Sequence, residues 1–204
     1  MSDVLVQQYN QQRKKTVADS YSMSIGEIAN LYEDEDLDIH PEFQRVFRWS
    51  NGQKSKLIES ILLGIPLPSF FVSANSEGVW DVVDGVQRLS TIFSFLGIYK
   101  DENGEKVDKL VLEETAQLSA LKGLTVDDIP KDILRTFKRE KINVTIIKQE
   151  SDAQTKYELF QRLNTNGSPL SDQEVRSCIL LMENKDFYQK FVNLSSYVNF
   201  QSVL

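Results

Sequence analysis

An α+β domain is the architecture this chain should adopt, and three observations point there. Segments of helical periodicity and segments rich in β-branched or aromatic residues mix irregularly instead of alternating as βαβα. Two apolar strands, Ser69 to Ala74 and another opening at Val79, flank Asn75-Ser76-Glu77-Gly78, the arrangement of a hairpin. The second strand then runs through Asp84-Gly85 straight into a helix. With 204 residues, 41% of them hydrophobic, the chain is long enough for one large domain with a real core. It carries no internal repeat, low-complexity segment or clear linker.

Taken in order, residues 1–20 are polar and read as an N-terminal arm, with Arg13-Lys14-Lys15 as a solvated basic knot. Residues 21–204 read as the domain. Ser24-x-x-Glu27 is a capping box, and Met23 and Ile28 occupy the positions of a hydrophobic staple, so a helix should run from about Ile25 to Tyr32. Glu33 to Asp36 is an acidic loop, and Leu37 and Ile39 suggest a brief strand. Ser50-x-x-Gln53 caps a second helix with Leu57, Ile58, Ile61 and Leu62 as its apolar stripe, ended by Gly64 and kept ended by Pro66 and Pro68. Val107, Leu110 and Leu112 suggest a peripheral strand, and Leu118 to Ile133 short helical pieces punctuated by Gly123 and Pro130. Lys141 to Lys148 is β-branched and reads as a core strand. Ser151-x-x-Gln154 and Ser171-x-x-Glu174 cap two more helices, the second placing Cys178 on a buried stripe. The closing FVNLSSYVNFQSVL has no stop signal and reads as an edge cut from a longer protein.

Charge and composition exclude several functions. A formal net charge of −7 argues against broad capture of nucleic acid, which needs a basic face, although a local basic pocket is compatible with it. One cysteine allows no internal disulfide and fits a reducing, cytoplasmic setting. There is no signal core and no apolar run of membrane-spanning length, so no membrane association is expected. The single histidine, His40, excludes sites that need two, HNH and HExxH chemistry among them. No convincing metal-ligand cluster is visible.

The most informative stretch is VWDVVDGVQRLSTIFSFLG, Val79 to Gly97. A strand enters a tight turn at Asp84-Gly85, and the turn opens a helix whose Leu89, Ile92, Phe93 and Leu96 recur at helical spacing. Backbone N–H groups at such an opening lack partners, and the helix dipole favours an anion there. Gln87 and Arg88 lie in the first turn, and the Arg88 guanidinium can fork onto a phosphate. The same residues also make an ordinary strand–turn–helix with a surface arginine. A second stretch, His40 to Trp49, is aromatic and basic together: Phe43, Phe47 and Trp49 suit a core or cleft wall, while Arg45 and Arg48 can stack on them or reach a phosphate.

Three segments together resemble a known family. PEFQRVFRWSNGQKSKLIESILLGIPLPSFFV looks like its first block, VVDGVQRLSTIFSFL like its DGQQR signature, and FQRLNTNGSPLSDQEV like its third block. The family is the N-terminal (GmrS-like) domain of GmrSD-type modification-dependent restriction endonucleases, and the resemblance spans about Ile25 to Met182. It implies a ParB/sulfiredoxin-like core, a small mixed sheet with surrounding helices. It also implies a nucleotide-handling domain, GTP or UTP with Mg2+, in a phage-defence system that attacks modified DNA.

Carried over, the signature falls on Asp84, Gly85, Gln87 and Arg88, the first block's polar pair on Gln44 and Arg45, and the third block's asparagine on Asn164. Asp84, Gln87 and Arg88 would be the catalytic group. Gln44, Arg45, Gly85, Gln87, Arg88 and Asn164 would bind nucleotide and phosphate. The signature's first glutamine is Val86 here, so a Mg2+-dependent NTPase and a domain that binds without turnover both stay open. Modified DNA would be met through the full-length protein, and cutting would come from an HNH-like nuclease domain or subunit. The alternative is a non-catalytic module that senses the DNA modification or binds the nuclease partner.

Overall fold

The computed structural model describes residues 4–6, 18–39, 49–74, 77–101 and 103–147. The chain forms two compact units, one from Ala18–Ile147 and one from Met1–Val17 with Lys148–Leu204. Of the second, Val4 to Val6 are helical and exposed. The helices expected after Ser151 and Ser171, and Cys178, lie outside the described residues.

The larger unit has the expected α+β class. Its elements in order are β1 (Ala18–Ser24), α1 (Ile25–Glu33), β2 (Leu37–Asp38), α2 (Asn51–Leu62), β3 (Phe70–Ala74), β4 (Trp80–Asp84), α3 (Val86–Leu96), α4 (Lys131–Arg139) and β5 (Lys141–Ile147). The strands form one mixed sheet in the order β1-β5-β3-β4-β2. The β3–β4 hairpin is antiparallel, pairing Val72 with Val82 and Ala74 with Trp80, with a register shift between Phe71 and Val72. β5 runs parallel to β3 and antiparallel to β1, and β2 runs parallel to β4.

The capping boxes expected at Ser24 and Ser50 open α1 and α2. Ser24 Oγ accepts from the Glu27 N–H while the Glu27 carboxylate accepts from the Ser24 N–H at 2.6 Å, and Ser50 and Gln53 do the same at 2.9 Å. β1 starts inside the stretch read as an arm. Its sequence, ADSYSMS, is polar and its described side chains are largely exposed, so no apolar alternation announces it.

The core lies between the sheet and the helices, and α3 runs through it. Seven consecutive residues, Leu89 to Phe95, are buried. A helix covered all round must satisfy its polar side chains internally. Ser90 Oγ donates to the Val86 carbonyl at 2.8 Å and Thr91 Oγ1 to that of Gln87 at 2.6 Å, each bonding one turn back along its own helix. Tyr32 of α1 stacks on Phe93 at 4.2 Å between centroids, and Phe95 meets Phe137 of α4 edge-on at 5.1 Å. The same Tyr32 hydroxyl accepts the Lys100 N–H, tying α1 to the chain that leaves α3.

The expected peripheral strand at Val107 to Leu112 is not a strand. Leu110 and Leu112 are buried in an extended loop whose N–H groups go elsewhere, Leu110 to the Ser94 carbonyl and Leu112 to that of Leu124. Short 3-10 turns follow at Ser119–Leu121 and Val126–Asp128, as the punctuation by Gly123 and Pro130 suggests. α4 runs beyond the helical pieces expected up to Ile133; its apolar residues Ile133, Leu134 and Phe137 share one face, and only Phe137 is buried completely.

Glu59 anchors this loop to α2. Its Oε1 accepts the Gln117 and Leu118 N–H groups, both at 2.7 Å, and one turn earlier Ser55 Oγ accepts the Glu113 N–H at 2.8 Å. The hydrogen bond from Thr115, and then those two N–H groups, hold the Glu59 carboxyl below its usual range against the opposing effect of burial. Glu59→Ala leaves two amides without an acceptor and should cost about 2 kcal/mol or more of stability, read as a lower urea midpoint. The contribution of a carboxyl with a lowered pKa is present above its ordinary range and disappears as pH falls through the depressed value. The gap between the parent protein and Glu59→Ala should therefore narrow in acid.

Candidate functional site

The strand–turn–helix expected from Val79 to Gly97 is present: β4 ends at Asp84, Gly85 turns the chain, and α3 begins at Val86. Gly85 holds φ at +100°, in the left-handed region where side chains are strained. It is also sterically closed to them. A Cβ there would stand 2.4 Å from Phe70 Cδ1 and 3.2 Å from Arg88 Nη2. Only glycine lets β4 turn into α3 while the chain lies against the Phe70 ring.

That conformation leaves the α3 start without a side-chain cap. Leu89 donates to the Gly85 carbonyl at 2.9 Å, the first bond of the helical ladder, and the first-turn amides precede it. Gln87 turns its side chain outward from this turn, and its Oε1 accepts the Trp49 N–H at 3.2 Å. The first motif block thereby meets the signature through Trp49.

Arg88 is placed differently from the sequence expectation of a guanidinium facing an anion. It folds back under the turn. Nη1 donates to the Pro68 carbonyl at 2.5 Å, and Nη2 donates to the Ser69 carbonyl at 3.3 Å and to Asp84 Oδ2 at 2.9 Å. The guanidinium carbon sits 4.3 Å from the centroid of Phe70, a cation–π contact. The Arg88 side chain is 13% exposed and that of Asp84 is 29%. Burial raises the Asp84 carboxyl above its ordinary range despite the pull of Arg88, and lowers the Arg88 guanidinium despite Asp84. The pair is held by geometry and hydrogen bonding against an electrostatic cost of desolvation.

Of the residues expected to bind or act, Asp84, Gly85, Gln87 and Arg88 lie together in this turn. Gln44, Arg45 and Asn164 lie outside the described residues. Sequence reasoning missed the acceptors of Arg88, which are the backbone carbonyls of Pro68 and Ser69 and leave no mark in side-chain identity. It also missed the partnership of Phe70 with Gly85; an aromatic residue on the strand paired with β4 was the available signal. As for a metal, no cluster of three or more His, Cys, Asp or Glu side chains suited to an ion occurs among the described residues. Asp84 could offer one oxygen to a Mg2+ that a triphosphate also ligates, the usual way that ion is shared. No helix among the described residues is long and apolar enough to cross a membrane.

Two outcomes test this geometry. Gly85→Ala combines backbone strain with a clash against Phe70 and should lose about 3 kcal/mol or more, measured by denaturant unfolding. Arg88→Ala strands Asp84 and two carbonyls and should lose about 2–3 kcal/mol; a cycle with Asp84→Ala should give a coupling of about 1 kcal/mol or more.

The family model described as the GmrSD restriction endonuclease N-terminal domain matches residues 26–181. The chain belongs to this family. No curated protein and no solved structure matches it.

Proposed function

We propose that this restriction-system domain binds a nucleoside triphosphate, GTP or UTP, with Mg2+, at the opening of α3. The observation that carries the reading is the 3.2 Å bond from the Trp49 N–H to Gln87 Oε1, because it brings two of the motif blocks to one uncapped helix start. In this reading the first-turn amides receive phosphate oxygens, and Gln44 and Arg45 of the first block bind the same nucleotide. The resemblance also assigns Asn164 of the third block to nucleotide binding. Gln87 orients the attacking water or a phosphate oxygen, and Asp84 offers its carboxylate to Mg2+. Arg88 acts as a positioning residue: it fixes the turn from beneath, and Arg45 supplies the phosphate-facing guanidinium.

Hydrolysis under this reading is electrostatic positioning, with amides and guanidinium aimed where charge gathers in phosphoryl transfer. Such a domain would act within a system that attacks modified DNA, with cutting by an HNH-like nuclease domain or subunit.

A second reading, a non-catalytic module that senses the DNA modification or docks the nuclease partner, is favoured by two observations. Val86 stands where the signature has glutamine, and the Arg88 and Asp84 side chains already bond one another.

Thermal unfolding with each triphosphate and Mg2+ separates the two. A ligand that binds only the folded chain raises Tm once its concentration exceeds Kd, by about 2.7 kcal/mol of stability at 100 Kd. The expected result is a rise with GTP or UTP that Arg45→Ala abolishes. Arg88→Ala should lower the ligand-free Tm instead. No rise with any triphosphate at millimolar concentration would transfer the assignment to the second reading. If binding is seen, phosphate release measures turnover, and Val86→Gln should increase it.

A further inference from the structure

The outer face of α4 gathers four cations on one short helix. Successive residues turn by about 100° around a helix axis. Lys131, Arg135, Lys138 and Arg139 therefore fall within one arc of about 100°, away from Phe137, which is buried in the core at 1% exposure. All four are exposed. Asp132 lies beside the arc and Glu140 follows the helix, yet no carboxylate among the described residues comes within ion-pair distance of any of the four. Three lysines elsewhere on the surface do find partners: Lys100 pairs with Glu35 at 3.1 Å, Lys109 with Asp127 at 2.5 Å and Lys122 with Glu114 at 2.9 Å. A chain of net charge −7, with carboxylates in excess, thus holds one row of four cations apart from every described carboxylate.

We propose that this face of α4 is a docking surface for the phosphate backbone of duplex DNA. Charge complementarity is the argument, and the spacing agrees with it. From Lys131 to Arg139 the axis rises about 12 Å, a span over which one DNA strand presents three or four phosphates at about 3.4 Å of helix axis each. Long, freely rotating cations on a rigid helix suit sequence-independent contact to phosphates, which positions a protein without reading bases. An anionic membrane fits less well. An interfacial helix needs an apolar face turned toward the bilayer, and the large aromatic of α4 is buried in the protein. The surface is separate from the opening of α3 and requires no nucleotide.

The test is fluorescence anisotropy of the full 204-residue chain on a labelled, unmodified duplex of about 24 base pairs, without nucleotide, across about 50 to 200 mM salt. The expected result is salt-sensitive binding. Arg135→Ala with Lys138→Ala should weaken it at least about 5-fold and reduce the slope of log K against log salt by about 1.8, or about 0.9 for each phosphate that is no longer neutralised. Lys100→Ala with Lys106→Ala removes the same charge from another part of the surface and should leave the slope unchanged. Equal melting temperatures would confirm that both double variants are folded. Absence of salt-dependent binding by the parent chain, equal effects of the two double variants, or association with phosphatidylserine vesicles but not with the duplex would each overturn the proposal.

Discussion

The close approach of Gly85 to the ring of Phe70 is the constraint around which this domain is assembled. Phe70 is fully buried on β3, and the β4–α3 turn lies directly on its ring. A backbone that close to a side chain admits no Cβ, and the left-handed φ at Gly85 is the conformation that brings it there. Arg88 closes the arrangement by stacking on the same ring and bonding the carbonyls of Pro68 and Ser69 as the chain enters β3. The hairpin, the turn and the central helix are held as one unit by these interactions. Their cost is visible in the opposed shifts of Asp84 and Arg88, both produced by desolvation.

A rigid turn of this kind separates support from function. The side chains expected to face a ligand, Asp84 and Arg88, bond beneath the turn. The helix start above them carries no side-chain cap, and the Gln87 side chain accepts the Trp49 N–H there. Anion recognition by amides needs a fixed backbone, because each donor is weak and only their shared direction makes them effective. The arginine can therefore contribute by holding the amides in place, a role its motif position does not distinguish from direct contact.

Much of the fold was legible in the sequence where local chemistry and tertiary packing agree. Ser24 and Glu27, and Ser50 and Gln53, declare their helices because a capping box is complete within four residues. Gly97 ends α3 for an equally local reason. β5 was legible through its β-branched run, since it is flanked by strands on both sides. β1 was not, because an edge strand buries too little to impose an apolar period, and α4 was not, because its apolar stripe of Ile133, Leu134 and Phe137 is only about two turns long. Leu110 and Leu112 misled for the opposite reason: two buried leucines two residues apart mimic a strand, but their amides bond to a helix end and a loop. In the site, glycine and the acidic and basic residues of the turn could be read as a group. The direction in which Arg88 points could not, since its acceptors are carbonyls that every residue carries.

The placement of β5 has a consequence for how the molecule comes into being. It is the last strand of the larger unit, yet it lies inside the sheet, with β1 on one side and β3 on the other. During synthesis the hairpin of β3 and β4 can form early, but the edge that β5 will occupy stays open until the ribosome has released residues beyond 147. For that interval the nascent chain presents Phe70 and Val72 with no neighbour on their outer side, which makes this the stage at which chaperones would be most needed.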